Sequence, residues 1–414
     1  MHWGRRVRSL PACLLAAVAA CTTTQGAGGP STVEAGAYGE GGSLDAGGHA
    51  DASTAVDGGG SGSDGGSSGP DGSAVVDAAG DSAPPLVLPS CLGASAPMIL
   101  SGTSAYASIA IGATFAADAG FTAGEPFLVD FGSTYSSIDL SAFNPAPATE
   151  NCNAAELGQD CTFSNLSFFG DWGSVVLETE SFSGGSGSVK QAGILGTDFL
   201  SAQPITLDYQ GAKIFAGSTT AFCTDAELTA AGFAPMTTAG FYSNVLASLS
   251  PLTTVDSAGM AGYTVPDVPT VKVSVGGVAA IGQLDTGYDD SVDHHSVNIN
   301  QAYLAALMKQ NPGAIVRDSS LDLTLSTCVA GTNETVEAYR LAAGTSFQFV
   351  SDAGTPARSV SDAILFAKNT PTAALVCGGI STWTVPAAQV AQSFYVDAGA
   401  VVFDPIAQKV WMPQ

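Results

Sequence analysis

Two short stretches bring together the residue types that carboxylate chemistry needs. Phe127-Leu128-Val129-Asp130-Phe131-Gly132-Ser133-Thr134 ends an apolar run in a carboxylate, and a glycine follows two residues later. Gly282-Gln283-Leu284-Asp285-Thr286-Gly287-Tyr288 repeats the pattern. Each reads as a buried strand that delivers one Asp to a tight, glycine-dependent loop. A single loop of this kind is an ordinary turn. Two in one chain point to a pair of carboxylates, Asp130 and Asp285, brought face to face.

Competing chemistries find less support. Asp293-His294-His295 follows the second loop, but adjacent histidines point apart on a strand, so it reads as a solvated loop and no metal site is expected. There is no Gly-x-Ser-x-Gly elbow in the folded region for a serine nucleophile. There is no Cys-x-x-Cys pair for zinc or redox work. No cofactor is implied.

The elements that must position the two aspartates occupy only part of the 414 residues. Residues 1–20 read as a secretion signal: Arg5, Arg6 and Arg8 form a positive start, and Leu14–Ala20 is apolar but too short to span a bilayer. The signal ends Val18-Ala19-Ala20-Cys21, which resembles the bacterial lipobox. That resemblance implies cleavage before Cys21 and a lipid on its sulfur. Residues 21–85 are rich in Gly, Ser, Ala and Asp with no Lys or Arg, so they read as a disordered tether. The expected location is therefore the cell envelope, lipid-anchored and most simply at the outer membrane, or the exterior if the lipobox is not used.

From Leu86 onward the chain turns apolar, rich in Val, Ile, Phe and Thr, and punctuated by Gly, Asn, Pro and Asp. Short alternating runs dominate. Thr270-Val271-Lys272-Val273-Ser274-Val275 followed by Gly276-Gly277 is a hairpin signal. Helical patterns are few: Ala226–Gly232, Asn300–Lys309 and Pro386–Ser393. The fold class is all-β with a few short helices, in two lobes, 86–250 and 251–414. An internal echo supports duplication. Leu207-Asp208-Tyr209-Gln210-Gly211-Ala212-Lys213-Ile214-Phe215 and Phe403-Asp404-Pro405-Ile406-Ala407-Gln408-Lys409-Val410-Trp411 each place an apolar residue and Asp before a turn, with Lys five residues after the Asp and an apolar pair after the Lys. Asp208 and Asp404 read as turn residues.

Charge limits the partners. The signal carries three of the 12 basic residues and none of the 37 acidic ones. A chain this acidic does not bind nucleic acid by neutralising phosphates. No stretch after the signal is long and apolar enough for a membrane helix. The membrane is reached only through Cys21, and the protein is expected to be a monomer. Six cysteines remain after Cys13 and Cys21, an even number that fits disulfides in an exported chain. They allow 15 connectivities; the favoured set is Cys91–Cys223, Cys152–Cys161 and Cys328–Cys377.

The paired loops, the echo and Gly193-Ile194-Leu195-Gly196-Thr197-Asp198-Phe199-Leu200 together resemble the pepsin-like and retropepsin-like aspartic peptidases, over about residues 97–414. Leu375-Val376-Cys377-Gly378-Gly379 is the candidate counterpart of that last stretch in the second half. The resemblance implies a bilobal acid-protease fold with a cleft between two β-barrel-like lobes. It implies that Asp130 and Asp285 activate one water against the peptide bond of an extended peptide or unfolded protein. Gly132, Ser133, Thr286 and Gly287 would support the two loops. Phe169-Gly170-Asp171-Trp172-Gly173-Ser174 would be a flap tip, with Phe169 or Trp172 as its apolar lid. No basic pro-segment precedes the domain, so an open cleft is expected.

Two positions depart from the family pattern. Phe131 stands where Thr or Ser is usual, so only Thr286 can grip across the loops. Tyr288 stands where a small hydroxyl would steady Asp285, a role Ser133 keeps for Asp130. The alternative function is a catalytically impaired relative that binds peptide or envelope material without cleaving it.

Overall fold

A computed structural model describes residues 86–414, apart from 116–123, 154–155, 183–188, 239, 242–251, 256–260, 265–267, 291–292, 327–332 and 370–379. The signal, Cys21, the tether, Cys328, Cys377 and the stretch 375–379 lie outside the described residues.

The described residues are mostly β, with strands gathered into a 13-stranded sheet and a 10-stranded sheet and a separate two-stranded ribbon. This is the all-β, bilobal fold expected from the alternating runs. The two halves repeat one arrangement. In the first, strand Glu125–Val129 runs parallel to Gly193–Leu195, which lies antiparallel to Ser137–Ile138. In the second, Val278–Leu284 runs parallel to Ala387–Val390, which lies antiparallel to Ser296–Ile299. Strands covered on both faces need apolar side chains throughout, which is why Phe127, Leu128 and Val129 form an unbroken run.

The equivalence is exact in backbone hydrogen bonds. Asp130 N–H donates to Leu195 O at 3.1 Å, and Asp285 N–H donates to Val390 O at 3.2 Å. Three residues beyond each aspartate, Ser133 O accepts from Thr197 N–H and Tyr288 O from Gln392 N–H. The counterpart of Gly193–Leu195 is therefore Ala387–Val390. This also corrects the helix read over Pro386–Ser393: the segment is a strand followed by a short helix, Ser393–Ala398. A fully buried parallel strand has no alternation to betray it, so its apolar run imitates a helix. The other two helical patterns correspond to Asp225–Ala230 and Gln301–Gln310.

The echoed segments are two hairpins. Asp208 pairs with Lys213, and Asp404 pairs with Lys409. Each aspartate accepts from turn amides, Asp208 from Gly211 and Asp404 from Ile406 and Ala407. The second hairpin does not stay with the second half. Strand Ala400–Asp404 pairs with Ile205–Asp208, and Lys409–Pro413 pairs with Phe233–Thr237. Strands from both ends of the folded region thus share the larger sheet. A single large core runs through both halves and includes Phe131, Phe241, Phe349 and Phe403.

Thr270–Val275 and Val278–Leu284 form the predicted hairpin, with Gly276 and Gly277 both at positive φ. Disulfides join Cys91 to Cys223 and Cys152 to Cys161, two of the three favoured pairs. They fit an oxidising compartment. Among the described residues, no helix is long and apolar enough to cross a membrane.

Candidate active site

The fold brings Asp130 and Asp285 into direct contact. Gly132 N–H donates to Asp130 Oδ1 at 2.7 Å, and Gly287 N–H donates to Asp285 Oδ1 at 2.9 Å. Each carboxylate sits over the other loop's glycine. A Cβ on Gly132 would collide with the Asp285 carboxyl, and one on Gly287 with that of Asp130. The glycines are needed here for close approach.

Neither aspartate has exposed surface. Asp130 is held well above the ordinary carboxylate range, by burial first and then by the charge of Asp285. Asp285 is also raised by burial, but Gln389, Gly287, Asp130 and the Tyr288 backbone stabilise its charge. The two carboxyls meet as hydrogen-bond partners, which requires that one keep a proton. Asp130 Oδ2 is buried and accepts from no neighbouring N–H or O–H. The donors gather on Asp285, so of the pair its charge is the better stabilised and Asp130 is raised the further.

The loops are joined from one side. Thr286 Oγ1 donates to Val129 O at 2.7 Å and accepts from Phe131 N–H at 2.9 Å. Phe131 cannot return this grip. Its ring is fully buried, stacked on Phe403 at 3.7 Å between centroids. Gln392 and Gln283 add amide contacts, to Thr286 O at 2.7 Å and Gly132 O at 3.4 Å. Thr103 and Ser104, in the turn between Ala94–Ser101 and Ser104–Ile111, both donate to Gln392 Oε1 at 3.0 Å.

Sequence reasoning misplaced two supports. The Ser133 hydroxyl donates to Tyr135 O at 2.8 Å, so this residue reaches Asp130 through its backbone N–H instead. Asp285 has not lost its side-chain donor. Gln389 Nε2 donates to Asp285 Oδ2 at 2.5 Å, and Gln389 Oε1 accepts from Asn298 Nδ2 at 3.0 Å. Tyr288 Oη reaches Asn298 Oδ1 at 3.4 Å. Gln389 occupies the place that Ile194 holds in the first half. The signal was a lone amide in the apolar run Ala387-Ala388-Gln389-Val390.

The predicted flap region is a hairpin of Asp160–Phe163 with Val175–Thr179. Its tip folds back, with Ser167 bridged to Asp171 and Leu166–Ser167 paired to Ala110 and Ile111. Phe169 and Trp172 are half-buried and pack on the core. The Trp172 ring meets Phe199 edge-on at 5.0 Å. Phe199 belongs to the short helix Thr197–Leu200, whose first amides donate to Ser133 O and Thr134 O in the Asp130 loop.

His294 and His295 do not point apart. They lie in a turn, His295 at φ 59°, with ring centroids 4.2 Å apart. A left-handed residue breaks the alternation that a strand would impose.

No family model matches the chain. No curated protein matches it significantly. Among solved structures, the chain is similar to basic 7S globulin from soybean, with a TM-score of 0.34 and 11% identity over 77% of this chain and 94% of that one.

Proposed function

We propose that this chain is a pepsin-like aspartic endopeptidase, exported and lipid-anchored through Cys21. The observation that carries the reading is the carboxyl pair: two buried aspartates on duplicated loops, each seated over the other's glycine, with one proton between them. Asp285 takes a proton from a water placed between the carboxyls as that water attacks the peptide carbonyl carbon. Asp130 hydrogen-bonds the carbonyl oxygen and then supplies a proton to the leaving nitrogen. Gly132, Gly287, Ser133 and Thr286 hold the loops, and Gln389 steadies Asp285. Phe169 and Trp172 form the apolar cover on the first half. The substrate is an extended peptide or unfolded protein.

A second reading has its own support. The buried carboxylates and the one-sided grip fit a protein that binds peptide or envelope material without cutting it. Incubating the purified chain with an unfolded protein from about pH 3 to 7, with and without a statine-type inhibitor, separates the two. Inhibitor-sensitive fragments, lost in Asp130→Asn, support the peptidase. A folded chain that binds the inhibitor but yields no fragments supports the binding protein.

A further inference from the structure

The turn after the second aspartate loop and the end of helix Ser393–Ala398 meet at three ligand-type side chains. His294 Nε2 and His295 Nε2 each lie 3.0 Å from Asp397 Oδ2. One candidate ligand atom from each residue lies within 4.8 Å of the others. Zinc bonds of about 2.0–2.1 Å in a tetrahedron place neighbouring ligand atoms about 3.3 Å apart, so two of the three separations are close to those needed.

The chemistry of His295 sharpens the case. Its side chain is only 7% exposed, and Nδ1 lies 2.8 Å from Asp362 Oδ1. A carboxylate accepts only, so this contact fixes the proton of a neutral ring on Nδ1 and leaves a lone pair on Nε2. That Nε2 is buried and makes no hydrogen bond. It lies 3.0 Å from Asp397 Oδ2, so with the ring neutral the two acceptors converge on one point where a cation would join them. A carboxylate behind an imidazole is also the usual way a metal-binding histidine is oriented. The ring is held on its other face by Phe394, 4.9 Å away.

Local charge favours the same occupant. Asp362 and Asp397 belong to the cluster, and Asp290, buried beside it, accepts from Ser296 N–H, Ser393 N–H and the Ser393 hydroxyl. His294 acts on Asp290 electrostatically, and the cation Arg358 acts on Asp397. Three carboxylates against one guanidinium leave room for two positive charges. Two imidazoles and a carboxylate suit zinc and its neighbours better than calcium or magnesium.

We propose that His294, His295 and Asp397 form a site for one divalent transition-metal ion of the zinc class, completed by water. The ion pins the turn at residues 293–295 to the helix Ser393–Ala398. It is distinct from the carboxyl pair and does not depend on peptidase activity.

The test uses the full chain, stripped with a chelator and titrated with zinc chloride by calorimetry, with thermal unfolding followed in parallel. Cobalt(II) serves as an optical probe of tetrahedral nitrogen and oxygen ligands. The expected result is one equivalent bound with a micromolar or tighter Kd, a higher unfolding temperature and a visible cobalt spectrum. The half-exposed His294→Ala and the Asp397→Asn variants should each weaken binding at least tenfold, and Asp362→Asn about tenfold through the lost orientation of His295. Absence of saturable binding near 100 µM zinc would overturn the proposal. So would binding that survives unchanged in both ligand variants, as an acidic surface alone would produce.

Discussion

At the scale of single residues, the asymmetry of the carboxyl pair makes measurable claims. Asp130 has a raised pKa in the fold, so the folded state holds a proton that the unfolded chain releases. Its stabilising contribution is complete below the unfolded value and is lost as pH rises through the folded one. Asp130→Asn should therefore abolish cleavage yet raise the unfolding temperature at pH 7, with little change at pH 3. Calorimetry at the two pH values checks this. Cleavage should follow a bell in pH. Its alkaline limb, set by Asp130 losing its proton, should lie well above the ordinary carboxylate range. Gln389 supplies the side-chain donor to Asp285 that the Tyr288 hydroxyl, turned to Asn298, does not. A hydrogen bond to a charged group contributes about 1.5–3 kcal/mol. Gln389→Leu should lower kcat about tenfold or more with less effect on KM, and should move the acid limb upward, because Asp285 then takes a proton more readily. A pH–rate profile of the variant reads both.

At the scale of elements, the loops and the strands behind them differ in how they are secured. Thr286 satisfies both the Phe131 N–H and the Val129 carbonyl. Thr286→Val leaves these buried groups unpaired and should cost about 1–3 kcal/mol, seen as a lower denaturant midpoint with an unchanged slope. The loops themselves were legible in the chain, because an apolar run that ends in Asp and Gly states both its burial and its turn. So were the hairpin at Gly276-Gly277 and the echo that became two Asp-capped hairpins. The strand Ala387–Val390 was not legible. Its partners lie far away in sequence, and with both faces covered it carries no period of two. Gln389 was hidden for the same reason: its meaning depends on a pairing that places it at Asp285, 104 residues earlier. The paired histidines were misread because one left-handed residue, His295, reverses the direction that alternation assigns.

At the scale of the whole molecule, the larger sheet is stitched together by the last hairpin. Ala400–Asp404 covers the edge of Ile205–Asp208, and Lys409–Pro413 covers that of Phe233–Thr237. A chain truncated after Gly399 should fail to fold, appearing in the insoluble fraction while the full chain is soluble, since two strand edges and the buried side chains of Ala400–Asp404 would lose their partners. The same stitching sets a schedule. Synthesis proceeds at about 5–20 residues per second, so Ile205–Asp208 is made roughly ten to forty seconds before its neighbour in the sheet. During that interval the first half is a sheet with an open side, in need of a chaperone or of confinement in an unfolded, threadable form. The fold therefore cannot lock into its final shape until nearly all of the chain has been made.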